Sequence, residues 1–243
     1  MHKPGVASWR GQRLRAVLFD LDGTLLDTAA DIALALNRTM VEYGCQTVAD
    51  REVRRMIGRG SPILIERATA AQGRALDAAT RAAMVERFFH YYGELEQLNE
   101  ATAEPFSGAA ESLRAVHDAG LGTAVVTNKQ YRFADALLKR LGLSGWVDVV
   151  VGGDTCARRK PDPQPLILAC ESLDLQPMEA LMVGDSIIDV QAARAAGMPV
   201  VCVSYGYNED RDPSTLDCDA LLATLAELPT LIELIPPRIA GAR

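Results

Sequence analysis

Short apolar runs that alternate with helical patterns are the feature that most constrains the fold of this 243-residue chain. Each run is rich in apolar or β-branched residues and is bounded by polar or turn residues; the runs are Leu14–Phe19, Gly122–Thr127, Val147–Val151, Ala180–Val183 and Pro199–Val203. Uninterrupted apolar strands of this kind are typical of parallel strands that are covered on both faces. The helical patterns between them are Ala109–Ala119, Tyr131–Leu141, Gln164–Leu173 and Ile187–Ala196. The alternation predicts an α/β fold whose core is a doubly wound parallel sheet.

One long stretch, from residue 28 to residue 104, interrupts this alternation with helical patterns alone. The patterns are Ala30–Tyr43, Arg51–Ile57, Pro62–Gln72 and Ala78–Leu98. A helical stretch of more than 70 residues directly after the first strand indicates an insertion that folds as a small bundle of its own. We therefore predict a core of residues 14–27 and 105–243, with residues 28–104 inserted as a separate α-helical domain.

The two ends of the chain give weaker patterns. Residues 1–13 contain no apolar run of the kind that a secretion signal needs, so we predict a flexible leader there. The apolar-rich stretch Leu221–Ile235 predicts an amphipathic closing helix that is broken near Pro229. Nowhere does the sequence reach the roughly 18–20 uncharged apolar residues that a membrane span requires.

Charge and cysteine content exclude several classes of partner. The chain has 25 Lys and Arg against 32 Asp and Glu, which gives a formal net charge of −7. A protein that binds nucleic acid or an anionic membrane needs a basic face, so we expect neither partner. The five cysteines are odd in number and widely spaced, which favours free thiols in a reducing compartment. We therefore expect a cytoplasmic protein.

Polar and charged residues stand where the predicted strands end, and ligands of open parallel sheets bind outside the carboxyl ends of the strands. The residues at these ends are Asp20, Asp22, Thr127, Asn128, Lys160, Asp185 and Asp189. Two pairs of carboxylates offer the oxygen ligands that Mg²⁺ prefers. The hydroxyl, amide and ammonium groups suit the oxygens of a phosphoryl group, although a helix cap or a solvated loop lysine is the alternative for each of them alone.

Four ordered motifs carry a resemblance to a known family. They are Asp20-Leu21-Asp22-Gly23-Thr24, Val126-Thr127-Asn128, Lys160-Pro161 and Gly184-Asp185-Ser186 with Asp189. This set resembles the motifs of the haloacid dehalogenase (HAD) superfamily, and residues 28–104 resemble its α-helical cap. Within that superfamily the chain most resembles the phosphoglycolate phosphatase subfamily; the segments that carry this are Leu25–Thr28, Ile57–Gly60 and Ser204–Tyr207. The resemblance implies a HAD-like, Rossmannoid core with an inserted cap.

The resemblance also implies a Mg²⁺-dependent phosphatase that acts on a small phosphorylated metabolite through an aspartyl-phosphate. Asp20 would be the nucleophile, and Asp22 would be the general acid and base. Mg²⁺ would be held by the Asp20 carboxylate, the Asp22 main-chain carbonyl and Asp185, with Asp189 orienting neighbouring groups. The phosphoryl oxygens would be held by Thr127, Asn128 and Lys160. Asp22 favours a phosphatase over a dehalogenase, because a departing alkoxide needs a proton and the true dehalogenases lack this second Asp.

The implied substrate is 2-phosphoglycolate, which would yield glycolate and phosphate. A cap residue should then meet the substrate carboxylate, and Arg59 is the candidate, with a solvated loop residue as the alternative. Arg55 or Arg132 could serve instead of Arg59. Other activities stay open: a phosphatase for a sugar phosphate, N-acetylmuramate 6-phosphate or pyrophosphate, or a phosphomutase similar to β-phosphoglucomutase. A signalling module is an alternative of another class, because response-regulator receivers also combine an acidic cluster, Thr and Lys on a parallel sheet. That alternative would leave the helical insertion and Asp22 unexplained.

Overall fold

The structure is a computed structural model that describes residues 7–98 and 100–234. The strands are β1 (Ala7–Trp9), β2 (Gln12–Leu14), β3 (Ala16–Phe19), β4 (Leu26–Asp27), β5 (Glu104–Pro105), β6 (Gly122–Val126), β7 (Val149–Val151), β8 (Ala180–Gly184), β9 (Val200–Val203) and β10 (Ala220–Leu222). The helices are α1 (Ala29–Glu42), α2 (Asp50–Arg54), α3 (Ser61–Ala70), α4 (Ala78–Gln97), α5 (Ala109–Asp118), α6 (Tyr131–Arg140), α7 (Gln164–Ser172), α8 (Ile187–Ala196) and α9 (Leu228–Leu231). None of the described helices is both long and apolar enough to span a bilayer.

The main sheet has six strands in the order β10-β9-β8-β3-β6-β7, and every neighbouring pair is parallel. All five predicted strands lie in this sheet, with ends shifted by one or two residues. The fold class predicted from the alternation is therefore confirmed. β3 lies between β8 and β6, so the residues that follow these three strands share one edge of the sheet.

Successive residues of the central strands pack on opposite faces of the sheet, as the two-residue period of a strand requires. Val17 and Phe19 of β3 belong to one hydrophobic cluster with residues of α5 and α6. Ala16 and Leu18 belong to a second cluster with residues of α7 and α8. Because both faces of β3 are covered, the strand is apolar at every position, and its sequence could not alternate with polar residues.

The helices α1 to α4, with their connections, form a helical insertion between β4 and β5. These two short strands pair antiparallel, Leu26 with Pro105 and Asp27 with Glu104, so the chain enters and leaves the insertion at adjacent points. The buried side chains of the insertion form a hydrophobic cluster that Phe133 and Tyr207 of the core also join; its largest fully buried members include Leu36, Met40, Ile65 and Met84. The four predicted helices are present; α2 is shorter than predicted and ends at Arg54.

A buried carboxylate fastens the base of the helical insertion. Asp31, in the first turn of α1, is 3% exposed and accepts three hydrogen bonds from the segment that leads back into β5. The donors are Thr102 N at 2.7 Å, Thr102 Oγ1 at 2.7 Å and Ala103 N at 3.1 Å. A buried carboxylate is tolerated where hydrogen bonds compensate its desolvation, so this contact holds the first helix against the returning chain.

The N-terminal prediction was wrong for residues 7–13. Instead of a flexible leader, β1 and β2 form an antiparallel hairpin with Ala7 opposite Leu14. Ala7 and Trp9 are buried and pack into the same hydrophobic cluster as α5. The ordered core therefore begins before residue 14, because the apolar face of the hairpin covers the sheet. Residues 1–6 lie outside the described part of the chain.

The closing helix predicted for Leu221–Ile235 was also wrong. Ala220–Leu222 is instead the edge strand β10, in which Leu221 is 40% exposed and Leu222 is buried, the alternation of a strand. The only α-helix that follows within residues 223–234 is α9, a four-residue segment with Pro229 near its start. Proline is tolerated in a first helical turn and not in a helix interior, which fixes where this short helix can begin. Ile235 lies outside the described residues.

Candidate active site

Three buried carboxylates meet at the carboxyl ends of β3 and β8. Asp20 follows β3, Asp185 follows β8, and Asp189 lies in the first turn of α8. One oxygen of each lies within 4.8 Å of the others. The side chains of these residues are almost inaccessible, since Asp20, Asp185 and Asp189 are 5%, 2% and 0% exposed. The structure thus brings together acidic residues that are separated by up to 169 positions in the chain, as the strand-end argument predicts.

Asp185 is held from two sides by groups that fit closely around it. Thr24 Oγ1 donates to one carboxylate oxygen at 2.8 Å, and the Tyr207 N–H donates to the other at 2.6 Å. A Cβ atom at Gly206 or Gly23 would overlap the Asp185 side chain, so only glycine allows the backbone this close. Burial raises the pKa of Asp185 well above its ordinary value, and the charges of Asp189 and Asp20 raise it further.

Asp189 supports the site by capping α8. One of its carboxylate oxygens accepts from the Ser186 N–H at 3.1 Å and from Ser186 Oγ at 2.6 Å. The capping box orients the start of the helix and fixes the carboxylate. Its other oxygen accepts from Lys160 Nζ at 2.7 Å. Because one oxygen caps α8 and the other is paired with a buried cation, Asp189 is better suited to orienting its neighbours than to binding a ligand directly.

The buried side chain of Lys160 neutralises part of the negative charge of this acidic cluster. Its ammonium lies 2.8 Å from Asp20 Oδ1, 2.7 Å from Asp189 Oδ1 and 2.7 Å from the Val126 carbonyl oxygen. Burial alone would lower the pKa of Lys160, but the two carboxylates raise it above its usual value, so the side chain is charged. An ammonium has three donors. Lys160 thus binds protein acceptors and orients the Asp20 carboxylate, and its contact with a phosphoryl group stays a prediction.

Asp20 itself is electrostatically balanced between opposing neighbours. Burial raises the pKa of Asp20 to about 7; the Lys160 charge opposes this effect, whereas Asp189 and Asp22 add to it. A carboxylate with this pKa binds a proton and a cation in competition near neutral pH.

Lys129 is a charged residue of the site that we did not select from the sequence. Its Nζ lies 3.0 Å from Asp22 Oδ1 and 3.3 Å from Asp22 Oδ2, and Thr28 Oγ1 donates to the same carboxylate at 2.6 Å. The Lys129 side chain is only 7% exposed, and its ammonium lies 4.5 Å from the centre of the Tyr92 ring. Burial alone would lower the pKa of Lys129, but the Asp22 charge raises it above its usual value.

A cavity opens in front of Asp20, between the strand ends and the helical insertion. Its strand-end wall is formed by Asp20, Asp22, Thr127, Asn128, Lys129, Gln130 and Phe133. Its insertion wall is formed by Ile32, Ile57, Gly58, Gly60, Ser61, Leu64, Phe88, Phe89 and Tyr92. Burial raises the pKa of the Tyr92 hydroxyl to about 12, while the nearby Lys129 charge acts in the opposite direction, so this group is neutral.

The two predicted phosphate-binding residues after β6 both line this cavity, but they make different contacts. Thr127 Oγ1 accepts a hydrogen bond from the Lys129 N–H at 3.2 Å, which leaves its own proton available. The Asn128 amide donates to the Gly58 and Lys160 carbonyl oxygens, each at 2.9 Å. This amide thus joins the insertion to the core, and a contact of Asn128 with a phosphoryl group stays a prediction.

Arg59, our candidate for the substrate carboxylate, is absent from the cavity lining, and its Nε donates to Glu209 Oε1 at 2.9 Å. Arg67 Nη2 binds the same oxygen at 2.6 Å, so both arginines are paired with the loop after β9. Of the two substitutes, Arg55 pairs with Glu52 and Asp210, and Arg132 lies against Phe89 and Phe133. Glu209 offers these cations a half-buried partner, and the role of Arg59 toward a substrate carboxylate stays a prediction.

The acidic cluster fits a hard divalent cation. The possible metal ligands are oxygen atoms only, and two of them belong to the carboxylates of Asp20 and Asp185. Because these carboxylates are buried, too little positive charge lies near them to offset their negative charge. The Asp22 carboxylate lies outside the cluster and pairs with Lys129. The binding of Mg²⁺ by the Asp22 main-chain carbonyl therefore stays a prediction.

Comparison with known proteins agrees with this geometry. Residues 17–203 match the family of haloacid dehalogenase-like hydrolases. A phosphoglycolate phosphatase of Thiobacillus denitrificans is 41% identical over 220 residues, which is 90% of this chain and 96% of that protein. An N-acetylmuramic acid 6-phosphate phosphatase of Pseudomonas aeruginosa is 36% identical over 217 residues, or 89% of this chain and 93% of that protein.

A solved structure supports the same assignment. The crystal structure of a predicted phosphoglycolate phosphatase from Haemophilus somnus has a TM-score of 0.82 and 28% identity, and the match covers 90% of this chain and 97% of that one. The chain therefore belongs to the haloacid dehalogenase-like hydrolase family. It is a phosphoric monoester hydrolase, and phosphatases of this family generally use a divalent metal.

Proposed function

We propose that this phosphatase hydrolyses 2-phosphoglycolate to glycolate and phosphate, with Mg²⁺, through a phosphoryl group on Asp20. The observation that carries the proposal is that Asp20, which lines a small cavity together with Asp22, belongs to a buried carboxylate cluster with Asp185 and is paired with the buried Lys160. The identity to a phosphoglycolate phosphatase over nearly the whole chain supports the choice of substrate.

The first half-reaction transfers the phosphoryl group to the protein. A carboxylate oxygen of Asp20 attacks phosphorus, and the bond between phosphorus and the leaving oxygen breaks. Asp22 gives a proton to that oxygen, so glycolate departs as an alcohol. Lys160 holds the Asp20 carboxylate from behind at 2.8 Å, which fixes the attacking oxygen in one orientation.

The second half-reaction releases phosphate. Asp22, now ionised, takes a proton from a water molecule, and the water oxygen attacks phosphorus while the bond to Asp20 breaks. Thr127 lines the cavity beside Asp20 and would donate its hydroxyl proton to a phosphoryl oxygen in both steps. We assign Asn128 a positioning role, because its amide joins Gly58 to Lys160.

The residues that would hold Mg²⁺ are Asp20, Asp185 and the main-chain carbonyl of Asp22. When bound, the cation offsets the negative charge of the phosphoryl oxygens and of the carboxylates around them. Asp189 would keep its place behind them, through Ser186 and Lys160.

The helical insertion is proposed to act as a cap that covers the substrate, with residues 28–104 as its extent. Three observations support this role: its hydrophobic cluster, its attachment through the paired strands β4 and β5, and its supply of one whole wall of the cavity. Such a cover excludes bulk water and selects the leaving group. We further propose that the reaction takes place in the cytoplasm, where the five free cysteines would stay reduced.

A second candidate substrate is N-acetylmuramate 6-phosphate, because a phosphatase named for it matches 89% of this chain. Hydrolysis of sugar phosphates or of pyrophosphate and a phosphomutase activity are the remaining alternatives. The test is a panel of these phosphate esters assayed with and without Mg²⁺, ranked by kcat/KM. We expect 2-phosphoglycolate to rank first and turnover to require the cation. A higher kcat/KM for another ester would replace the substrate, and turnover that needs a bisphosphate primer would indicate a mutase.

A further inference from the structure

The charges that line the cavity are few and uneven. Among the described residues that line it, the charged ones are Asp20, Asp22 and Lys129, so Lys129 is the one cation in that set. The carboxylate of an anionic leaving group is repelled by the two aspartates and attracted by the ammonium. We propose that Lys129, assisted by the Tyr92 hydroxyl, binds the carboxylate of the substrate and so determines specificity. This inference rests on the proposed function.

The position of Lys129 matches the length of the proposed substrate. In 2-phosphoglycolate a single methylene group separates the leaving oxygen from the carboxylate. The leaving oxygen must lie beside Asp22 to receive its proton, and the Lys129 ammonium lies 3.0 Å from an Asp22 oxygen. A carboxylate one methylene beyond the leaving oxygen therefore falls within reach of the same ammonium.

Lys129 is held in place without a substrate. Its ammonium binds the two oxygens of the Asp22 carboxylate and interacts with the Tyr92 hydroxyl. The Tyr92 ring packs over the other side of the group, with 4.5 Å between Nζ and the ring centre. The cation is thus fixed between the core and the insertion, facing the cavity.

Tyr92 supplies the second polar contact. It lies on α4, is 3% exposed and lines the cavity, and its hydroxyl, beside the Lys129 ammonium, has no acceptor for its own proton among the described residues. A buried hydroxyl whose proton has no acceptor is unfavourable, so a ligand that accepts this proton gains affinity. A carboxylate with two oxygens can accept from Lys129 and from Tyr92 together.

The arginine that the sequence favoured is poorly placed for this task. Arg59 lies outside the cavity lining and binds Glu209, which already compensates its charge. Moving it into the cavity would break that pair and leave Glu209 to Arg67 alone. Lys129 needs no such movement.

The experiment compares two esters that differ only where the carboxylate lies: 2-phosphoglycolate and 2-hydroxyethyl phosphate. The ratio of their kcat/KM values is measured for the wild type, Lys129→Met and Tyr92→Phe, all with Mg²⁺. Lys139→Met is the matched control, because Lys139 is an exposed lysine of α6 paired with Asp135. We expect Lys129→Met to lower the ratio about 10–100-fold, since charge-assisted hydrogen bonds to carboxylates are worth this much. Tyr92→Phe should lower it about threefold to tenfold, Lys129→Arg should restore part of it, and Lys139→Met should leave it unchanged.

Two results would overturn the assignment. One is an equal loss on both esters in Lys129→Met, which would mean that Lys129 acts on the phosphoryl group or on Asp22. The other is an unchanged ratio in both Lys129→Met and Tyr92→Phe. If Lys129→Met does not fold, as judged by circular dichroism, the ratios of Lys129→Arg and Tyr92→Phe decide alone. A wild type without preference for 2-phosphoglycolate would instead refute the proposed substrate, and the assignment with it, before any variant is compared.

Discussion

The two walls of the cavity are built in opposite ways. On the strand-end wall and directly behind it, Asp20, Asp185 and Lys160 are buried and each is held by ion pairs or hydrogen bonds to the core. On the insertion wall, most side chains are apolar, among them Leu64 and Phe88, and they belong to the hydrophobic cluster of the helical insertion.

This difference separates chemistry from selection. Reacting groups need fixed orientation, which rigid strand ends and buried hydrogen bonds supply. A wall of apolar side chains contributes shape and excludes water, and it can change without disturbing those groups. Lys129 connects the two functions, because it is anchored to Asp22 in the core and packs against Tyr92 of the insertion.

The largest effect is expected on the strand-end wall, at the nucleophile itself. Asp20→Asn keeps the size of the side chain but removes the attacking carboxylate, so kcat should fall by about 10⁴-fold or more. The measurement is steady-state hydrolysis with Mg²⁺, with folding verified by circular dichroism. A folded Asp20→Asn enzyme that retains appreciable turnover would falsify the covalent mechanism.

The next largest effect should come from the cation that balances this wall. Lys160→Met leaves the buried carboxylates of Asp20 and Asp189 without their partner, and the free energy of unfolding should fall by about 3–5 kcal/mol. Urea denaturation without Mg²⁺ measures the loss. Lys139→Met is the control and should show no measurable change, because its ion pair is exposed. Equal stabilities of the two variants would show that the acidic cluster does not depend on Lys160.

A smaller loss is expected where the insertion joins the core. Asp31→Ala removes one buried acceptor for three hydrogen bonds from Thr102 and Ala103, and the free energy of unfolding should fall by about 2–3 kcal/mol. Asp31→Asn retains one acceptor oxygen, so its loss should be smaller. If both variants were as stable as the wild type, the insertion would be fastened by its apolar contacts alone.

The smallest effect concerns pH and metal affinity. Because burial raises the pKa of Asp20 to about 7 in the metal-free protein, a proton competes with the cation below that pH. Below pH 7 the Asp20 carboxyl of the folded protein is mostly protonated, and Mg²⁺ must displace that proton to bind. Lowering the pH should therefore weaken Mg²⁺ binding by up to about tenfold per pH unit below 7. Isothermal titration calorimetry between about pH 6 and 8 measures this. Affinity that does not vary with pH would mean that Asp20 is already ionised without the metal.

The sequence predicted the elements that form both walls of the cavity, but it did not predict all of the side-chain contacts within them. The apolar strands and the residues that follow them are local patterns, so the sheet and the positions of Asp20, Asp185 and Asp189 were predictable. The carboxylates with which individual lysines and arginines pair were not predictable from such local patterns. Lys129 meets Asp22, 107 positions away, and Arg59 meets Glu209, 150 positions away.

The errors at the two ends of the core have a related cause. The strands β1 and β2 have only three residues each, with Arg13 inside β2 and Arg10 in the turn between them, and such a sequence predicts a solvated leader. Their burial depends on the hydrophobic cluster that covers Trp9, which no local pattern records. Likewise Ala220–Leu222 is a strand because β9 offers a free edge for pairing, although its sequence also suits a helix.

The most direct test of the account asks where the phosphoryl group goes. The wild type would be quenched in acid during turnover of 2-phosphoglycolate with Mg²⁺, and its peptides analysed by mass spectrometry. The account predicts a phosphoryl group on Asp20, and none on the corresponding peptide of Asp20→Asn. Phosphate on another residue, or steady turnover with no phosphorylated peptide in any quenched sample, would contradict it.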